Sequence, residues 1–122
     1  MSEADKQWGE RLRQARMAAG LSQKQLGIRA GIDEFVASTR INRYELGVHK
    51  PDYLTAQNLA AVLGISAAFL YAPEDEVALL LFRYAHATKS ERAEVRKLLA
   101  HLPAPPKAEA ASGTRGRSTS GG

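Results

Sequence analysis

A chain of 122 residues, 44% hydrophobic and 25% charged, is sized for one small domain with an extension and is too short for the two lobes of a large enzyme. It has no cysteine, which excludes disulfide frameworks, thiolate catalysis and cysteine-ligated zinc, and fits the cytoplasm. The formal charge of +4 permits a polyanionic partner, while the longest apolar run, residues 77–82, falls far short of the roughly 20 residues of a membrane span.

No segment alternates with period two for long enough to predict a strand, and the helical period runs through most of the chain. Trp8, Leu12, Ala15 and Ala19 share one face of a first helix, which Gly20 ends. Ser22 with Gln25 makes a capping-box pattern at the start of a second helix, whose apolar face holds Leu26 and Ala30 and which Gly31 closes. A third helix is expected to begin near Asp33, a good N-cap, and to run to Glu45 or Leu46, with Gly47 as its stop. Pro51 sets a turn. A fourth helix is predicted over about residues 55–63, with Leu59, Val62 and Leu63 inward and Gly64 at its end. Ser66 caps a short fifth helix holding Phe69 and Leu70. Two more helices are predicted near residues 73–86 and 90–102, with Thr88 and Glu91 as a capping pair for the last. Pro103, Pro105 and Pro106 then stop any helix, and the small polar residues beyond them predict a disordered, solvated tail, with phosphate contact by Arg115 and Arg117 as the lesser alternative. The chain thus divides into a domain at 1–72, a two-helix extension at 73–102 that serves packing or dimerisation, and a tail at 103–122.

The functional signal lies in residues 23–46. Gly27, in mid-helix, costs helix stability by up to about 1 kcal/mol, and the close approach of another helix supplies a reason for it. Gly31 makes the turn, Ile32 follows as a buried plug, and Ile41 and Tyr44 form an apolar stripe on the third helix. Two short helices, a glycine turn and a small residue at the crossing describe a helix-turn-helix, whose second helix enters the DNA major groove.

Over residues 11–71 the chain resembles the lambda-repressor-like, or Xre-type, helix-turn-helix family. The similarity rests on Arg11-Leu-Arg-Gln-Ala-Arg16, Gly20-Leu-Ser-Gln23, Leu26, Ala30-Gly31-Ile32, Ile41-Asn-Arg-Tyr-Glu45, Gly47 and Lys50-Pro51. Leu59-Ala-Ala-Val-Leu-Gly-Ile65 is similar to the family's fourth helix and its exit. The resemblance implies an all-α protein: a five-helix lambda-repressor-like DNA-binding domain followed by the two-helix C-terminal extension and the disordered tail. It also implies sequence-specific binding of double-stranded DNA. One departure stands out. From Gly31 to Glu45 is fourteen residues, where the family has roughly ten. The four extra residues, Asp33-Glu-Phe-Val36, equal about one helical turn, so Ile41 and Tyr44 keep their inward places. They either start the third helix one turn early or lengthen the turn before it.

The polar face of the third helix offers Ser38, Thr39, Asn42 and Arg43 to base edges, since arginine forks onto guanine and asparagine onto adenine, and Arg40 either to a base edge or to a phosphate. Phosphate contacts are expected from Gln23, at the start of the second helix, and from Lys24, His49 and Lys50. The resemblance further implies that Arg16 pairs with Glu45 and fixes the recognition helix against the first helix. In the extension, Val77, Leu80, Leu81 and Tyr84 make one apolar stripe and Ala78, Phe82 and Ala85 a second. With Leu98 and Leu99 of the last helix, the first stripe is the candidate dimer or partner face.

The favoured reading is a homodimeric transcriptional regulator, a repressor, with no cofactor, no metal and no membrane association. The alternative is an antitoxin-like protein-interaction module whose last two helices hold a partner protein. His49, His86 and His101 fall in separate elements, and no serine–base, carboxylate-pair or phosphate-loop pattern accompanies them, so no enzyme is expected.

Overall fold

The computed structural model describes residues 2–108. The predicted tail from residue 109 onward, with Arg115 and Arg117, lies outside the described residues, and residues 103–108 have no regular structure. The elements are α1 (Glu3–Ala18), α2 (Gln23–Arg29), α3 (Ala37–Glu45), α4 (Tyr53–Leu63), α5 (Ala67–Tyr71), α6 (Asp75–His86) and α7 (Lys89–Leu99). No strand occurs among the described residues. Two compact units emerge, Met1–Lys89, which takes in α6, and the segment from Ser90.

Side-chain caps set most of the helix starts. Ser2 and Asp5 form a reciprocal capping box on α1, and Ser22 and Gln25 form another on α2. The Asp52 carboxylate accepts the Thr55 amide at 2.8 Å, so α4 begins two residues before the expected 55. Ser66 accepts from the Ala68 amide at the head of α5.

The third helix differs from expectation: it starts at Ala37, not near Asp33. Asp33 does not cap it. The Asp33 carboxylate accepts the Phe35 amide at 2.8 Å, and its carbonyl accepts the Val36 amide at 3.1 Å. An aspartate that bonds to its own following backbone closes a turn in place of a helix. Val36, at φ −120° and ψ −1°, then stands outside helical geometry, and the helical bonds start from Arg40 N to Val36 O at 2.8 Å. The four extra residues therefore lengthen the turn.

One large side chain from each of the first five helices is fully buried: Leu12, Leu26, Ile41, Leu59 and Leu70. Each contributes roughly 1.5–3 kcal/mol by leaving water. Ile32, expected to be a buried plug, is only half-buried beside them. Two glycines let helices approach at backbone distance. A Cβ at Gly27 would stand 2.7 Å from the Ala37 Cβ, which is the close approach its mid-helix position called for. A Cβ at Gly9 would run into the Glu45 carbonyl oxygen, so Gly9 admits the end of α3 against α1.

α6 turns its Ala78 side inward. Ala78 is buried, and Phe82 lies against Phe69 with ring centroids 5.6 Å apart. Leu81, placed on the candidate dimer or partner face, is half-buried and packs on the core; Val77 and Leu80 are exposed and Tyr84 is half-buried. Arg11, buried in α1, donates its Nε to the Ala72 carbonyl at 2.8 Å and reaches Asp75 at 3.3 Å, tying α1 to the entry of α6. In α7 no residue is buried, and Leu98, Leu99 and Leu102 are exposed. α7 begins at Lys89 and ends at Leu99, three residues short of the expected end.

Candidate nucleic-acid interface

The buried residues of α3 are Ala37, Ile41, Tyr44 and Glu45. They leave Ser38, Thr39, Arg40, Asn42 and Arg43 together on the exposed sides of the same helix. Thr39, Arg40 and Arg43 line a concave face with Val36, and His49 and Lys50 from the loop after α3 border it. This surface is cationic and rich in forked donors, the chemistry that suits phosphate edges and base edges.

A chain of polar side chains holds that face from behind. Arg16 grips Glu45 with two parallel bonds, Nε to Oε2 at 2.5 Å and Nη2 to Oε1 at 3.1 Å. Its Nη1 donates to the Leu21 carbonyl at 2.9 Å. Glu45 Oε1 also accepts from Gln23 Nε2 at 3.0 Å, and the same Nε2 lies 3.1 Å from Asn42 Oδ1. The side chains of Arg16 and Glu45 are 14% and 3% exposed, so the bidentate pair is largely shielded from screening. Thus Gln23, placed on phosphate by sequence, directs its amide nitrogen inward to Glu45 and Asn42, leaving its carbonyl oxygen uncommitted to that pair of bonds.

The expected phosphate contacts differ in freedom. Lys24 and His49 are exposed. Lys50 is exposed as well, but its Nζ sits 3.3 Å from Asp5 Oδ1. The Ser2 hydroxyl and amide, and then Lys50, hold the Asp5 carboxyl below its ordinary value of 3.8. The other histidines have local roles. His86 Nδ1 donates to the Phe82 carbonyl at 2.9 Å and its ring stacks on Phe82, while His101 Nδ1 donates to the Leu98 carbonyl at 3.2 Å.

Three contributors escaped the sequence reading. Asp5 had a legible signal, the Ser-x-x-Asp spacing from Ser2. Gly9 offered only its small size on a helix, and Arg11 offered nothing, because its partners lie 61 to 64 residues away.

The fold and this face define a helix-turn-helix protein. A helix-turn-helix family model matches residues 12–70. The crystal structure of the transcriptional regulator BswR is similar, at 45% identity and a TM-score of 0.71, over 77% of this chain and 93% of that one. No curated protein sequence matches. The chain belongs to the lambda-repressor-like, Xre-type helix-turn-helix family.

Proposed function

We propose that this protein is a DNA-binding transcriptional regulator that reads a specific duplex sequence with α3 and acts as a dimeric repressor in the cytoplasm, occluding a promoter without catalysis. The observation that carries the reading is the exposed row Ser38, Thr39, Arg40, Asn42 and Arg43 on a helix locked from behind by Arg16, Glu45 and Gln23. A recognition helix must be held rigidly for side chains to discriminate bases, and the bidentate pair supplies that rigidity. On this reading Arg43 and Arg40 take guanine edges and Asn42 an adenine edge, with Ser38 and Thr39 pairing with either. Lys24, His49 and Lys50 position the protein on the phosphates, with the backbone amide at the head of α2 in place of the Gln23 side chain, whose nitrogen is taken by Glu45 and Asn42. The similarity to BswR, a transcriptional regulator, points the same way.

Dimerisation is supported by the exposed Val77 and Leu80 on α6 and the exposed Leu98 and Leu99 on α7, since one such domain spans only a few base pairs and two-fold pairing doubles the site. The same leucines motivate the second reading, an interaction module that holds another protein. Selection from random duplex DNA, followed by a salt titration on the winner, separates the two. The expected result is a palindromic sequence bound with a steep inverse dependence on salt. Failure to enrich any sequence, with only weak salt-sensitive binding to DNA, would reject DNA reading in favour of the protein-partner role.

A further inference from the structure

The bond between Gln23 and Asn42 fixes which atom of each amide is left free, and the order starts at Glu45. The Glu45 carboxylate, 3% exposed and gripped by Arg16 through two nitrogens, can only accept hydrogen bonds. The Gln23 group that meets Glu45 Oε1 at 3.0 Å is therefore the NH2 and not the carbonyl. That same nitrogen lies 3.1 Å from Asn42, so its second hydrogen goes there, and the Asn42 atom that receives it is the carbonyl oxygen Oδ1. Turning over the Gln23 amide would set oxygen against oxygen, and turning over Asn42 would set nitrogen against nitrogen. A buried charge thus dictates the polarity of an exposed side chain two links away.

Asn42 stands on the outward side of α3. At about 100° per residue, Thr39, Asn42 and Arg43 fall within about 100° of arc, opposite the buried Ala37, Ile41 and Tyr44. On that arc the free end of Asn42 is Nδ2, which carries two hydrogens and bonds to no other group among the described residues. A full adenine contact uses asparagine twice: Oδ1 accepts from the 6-amino group and Nδ2 donates to N7. Oδ1 keeps a second lone pair, but a 6-amino group arriving there stands beside the Gln23 NH2, donor against donor. Nδ2 carries no such encumbrance.

We propose that Gln23 is a positioning residue that makes Asn42 a hydrogen-bond donor toward the bases, so that Asn42 reads the N7 acceptor common to both purines and leaves the adenine 6-amino group unread. This rests on the DNA-reading function proposed above and narrows the adenine edge assigned there to its N7. The position read by Asn42 then admits adenine or guanine and refuses pyrimidines, which have no N7.

The test uses the full chain and the duplex that wild-type protein enriches from a random pool. Each purine is replaced in turn by its 7-deaza analogue, which lacks the N7 acceptor, and each adenine by unsubstituted purine, which lacks only the 6-amino group. For wild type, the 7-deaza analogue at one position per half-site should weaken binding about fivefold, the worth of one neutral hydrogen bond. Removing the 6-amino group there, or exchanging the base pair for the other purine, should change affinity by less than about twofold. Asn42→Ala should show the same loss on the parent duplex and become indifferent to N7 at that position alone. Gln23→Ala frees Oδ1 and should gain about a fivefold preference for adenine over guanine at that position, a preference abolished by removing the 6-amino group. Because that preference is a ratio within one variant, any stability lost with Gln23 cancels. A wild-type loss on removing the 6-amino group at the Asn42 position overturns the proposal. Gln23→Ala that keeps the wild-type indifference between purines overturns the role of Gln23. If no position links Asn42→Ala to N7, the proposal fails and reading by the other side chains of α3 stands. If wild type enriches no sequence at all, the DNA-reading function falls together with it, and that outcome is distinct from the others.

Discussion

Glu45 accepts from two side chains at once, Arg16 through both carboxylate oxygens and Gln23 through one. Because its side chain is 3% exposed, removing its charge leaves the Arg16 guanidinium largely buried without a counter-charge. Breaking one side of such a pair is far more costly than the pair's net worth. Glu45→Gln, which keeps the shape, should lower unfolding stability by about 3 kcal/mol in a urea titration with an unchanged slope. DNA affinity should fall with it, since Gln23 and Asn42 share the same network. A loss below about 0.5 kcal/mol would mean that the pair sets geometry without holding the fold. At this scale the sequence was legible where a motif was local or where the family resemblance supplied the pairing, as for Arg16 and Glu45. Arg11 was opaque. A helical wheel cannot separate an arginine that snorkels to solvent from one that runs inward to the Ala72 carbonyl.

Among the elements, the crossing of α2 and α3 is one of the two closest approaches, the other being Gly9 against the end of α3. Gly27 spends helix propensity to let Ala37 close in, with 2.7 Å between the Ala37 Cβ and a Cβ built on the glycine. Alanine at position 27 gains up to about 1 kcal/mol of intrinsic helix stability. Against that, the added methyl overlaps a buried neighbour on packed backbone, a strain of about 1–3 kcal/mol. We expect Gly27→Ala to lower the melting temperature and to weaken DNA binding beyond that loss, because relief of the overlap displaces the start of the recognition helix. Thermal unfolding and binding measured on the same sample check both parts; a stabilised, fully active variant would show that α3 can shift freely. Gly27 and the caps at Ser22 and Ser66 were readable because their patterns are local. The start of α3 was not. Asp33 can cap a helix or close a turn, and the sequence contains both options. Long-range packing decides, since Ala37 must lie on Gly27 and the four preceding residues take up the remaining path.

For the whole molecule, the proposed assembly falls on the outer side of α6. Ala78, Leu81 and Phe82 face the core, which leaves Val77 and Leu80 in water at 43% and 58% exposure. Sequence marked the whole segment as apolar but could not sort Leu80 from Leu81, because adjacent leucines are chemically identical and differ only by a rotation of about 100° around the helix. On the dimer reading, Leu80→Asp should convert the wild-type dimer to a monomer in sedimentation velocity. The melting temperature of the isolated subunit should change little, since the side chain is already solvated. Affinity for a palindromic site should drop steeply, and affinity for a half-site should stay level. A wild-type protein that sediments as a monomer at all concentrations would remove the dimer from the proposed mechanism.

The Asp5–Lys50 pair gives the edge proposed to face DNA an internal counterion. The carboxylate is kept ionised by the same capping box that starts α1, so it is present wherever the helix is intact. A phosphate approaching Lys50 then takes over a lysine that already has an anion. Under the proposed function, Lys50 therefore contributes less than the full increment of salt sensitivity that a free lysine brings to duplex binding. On that proposal the first turn of α1 competes for the polyanion, weakening indiscriminate attachment and leaving a larger share of the affinity to the side chains of α3.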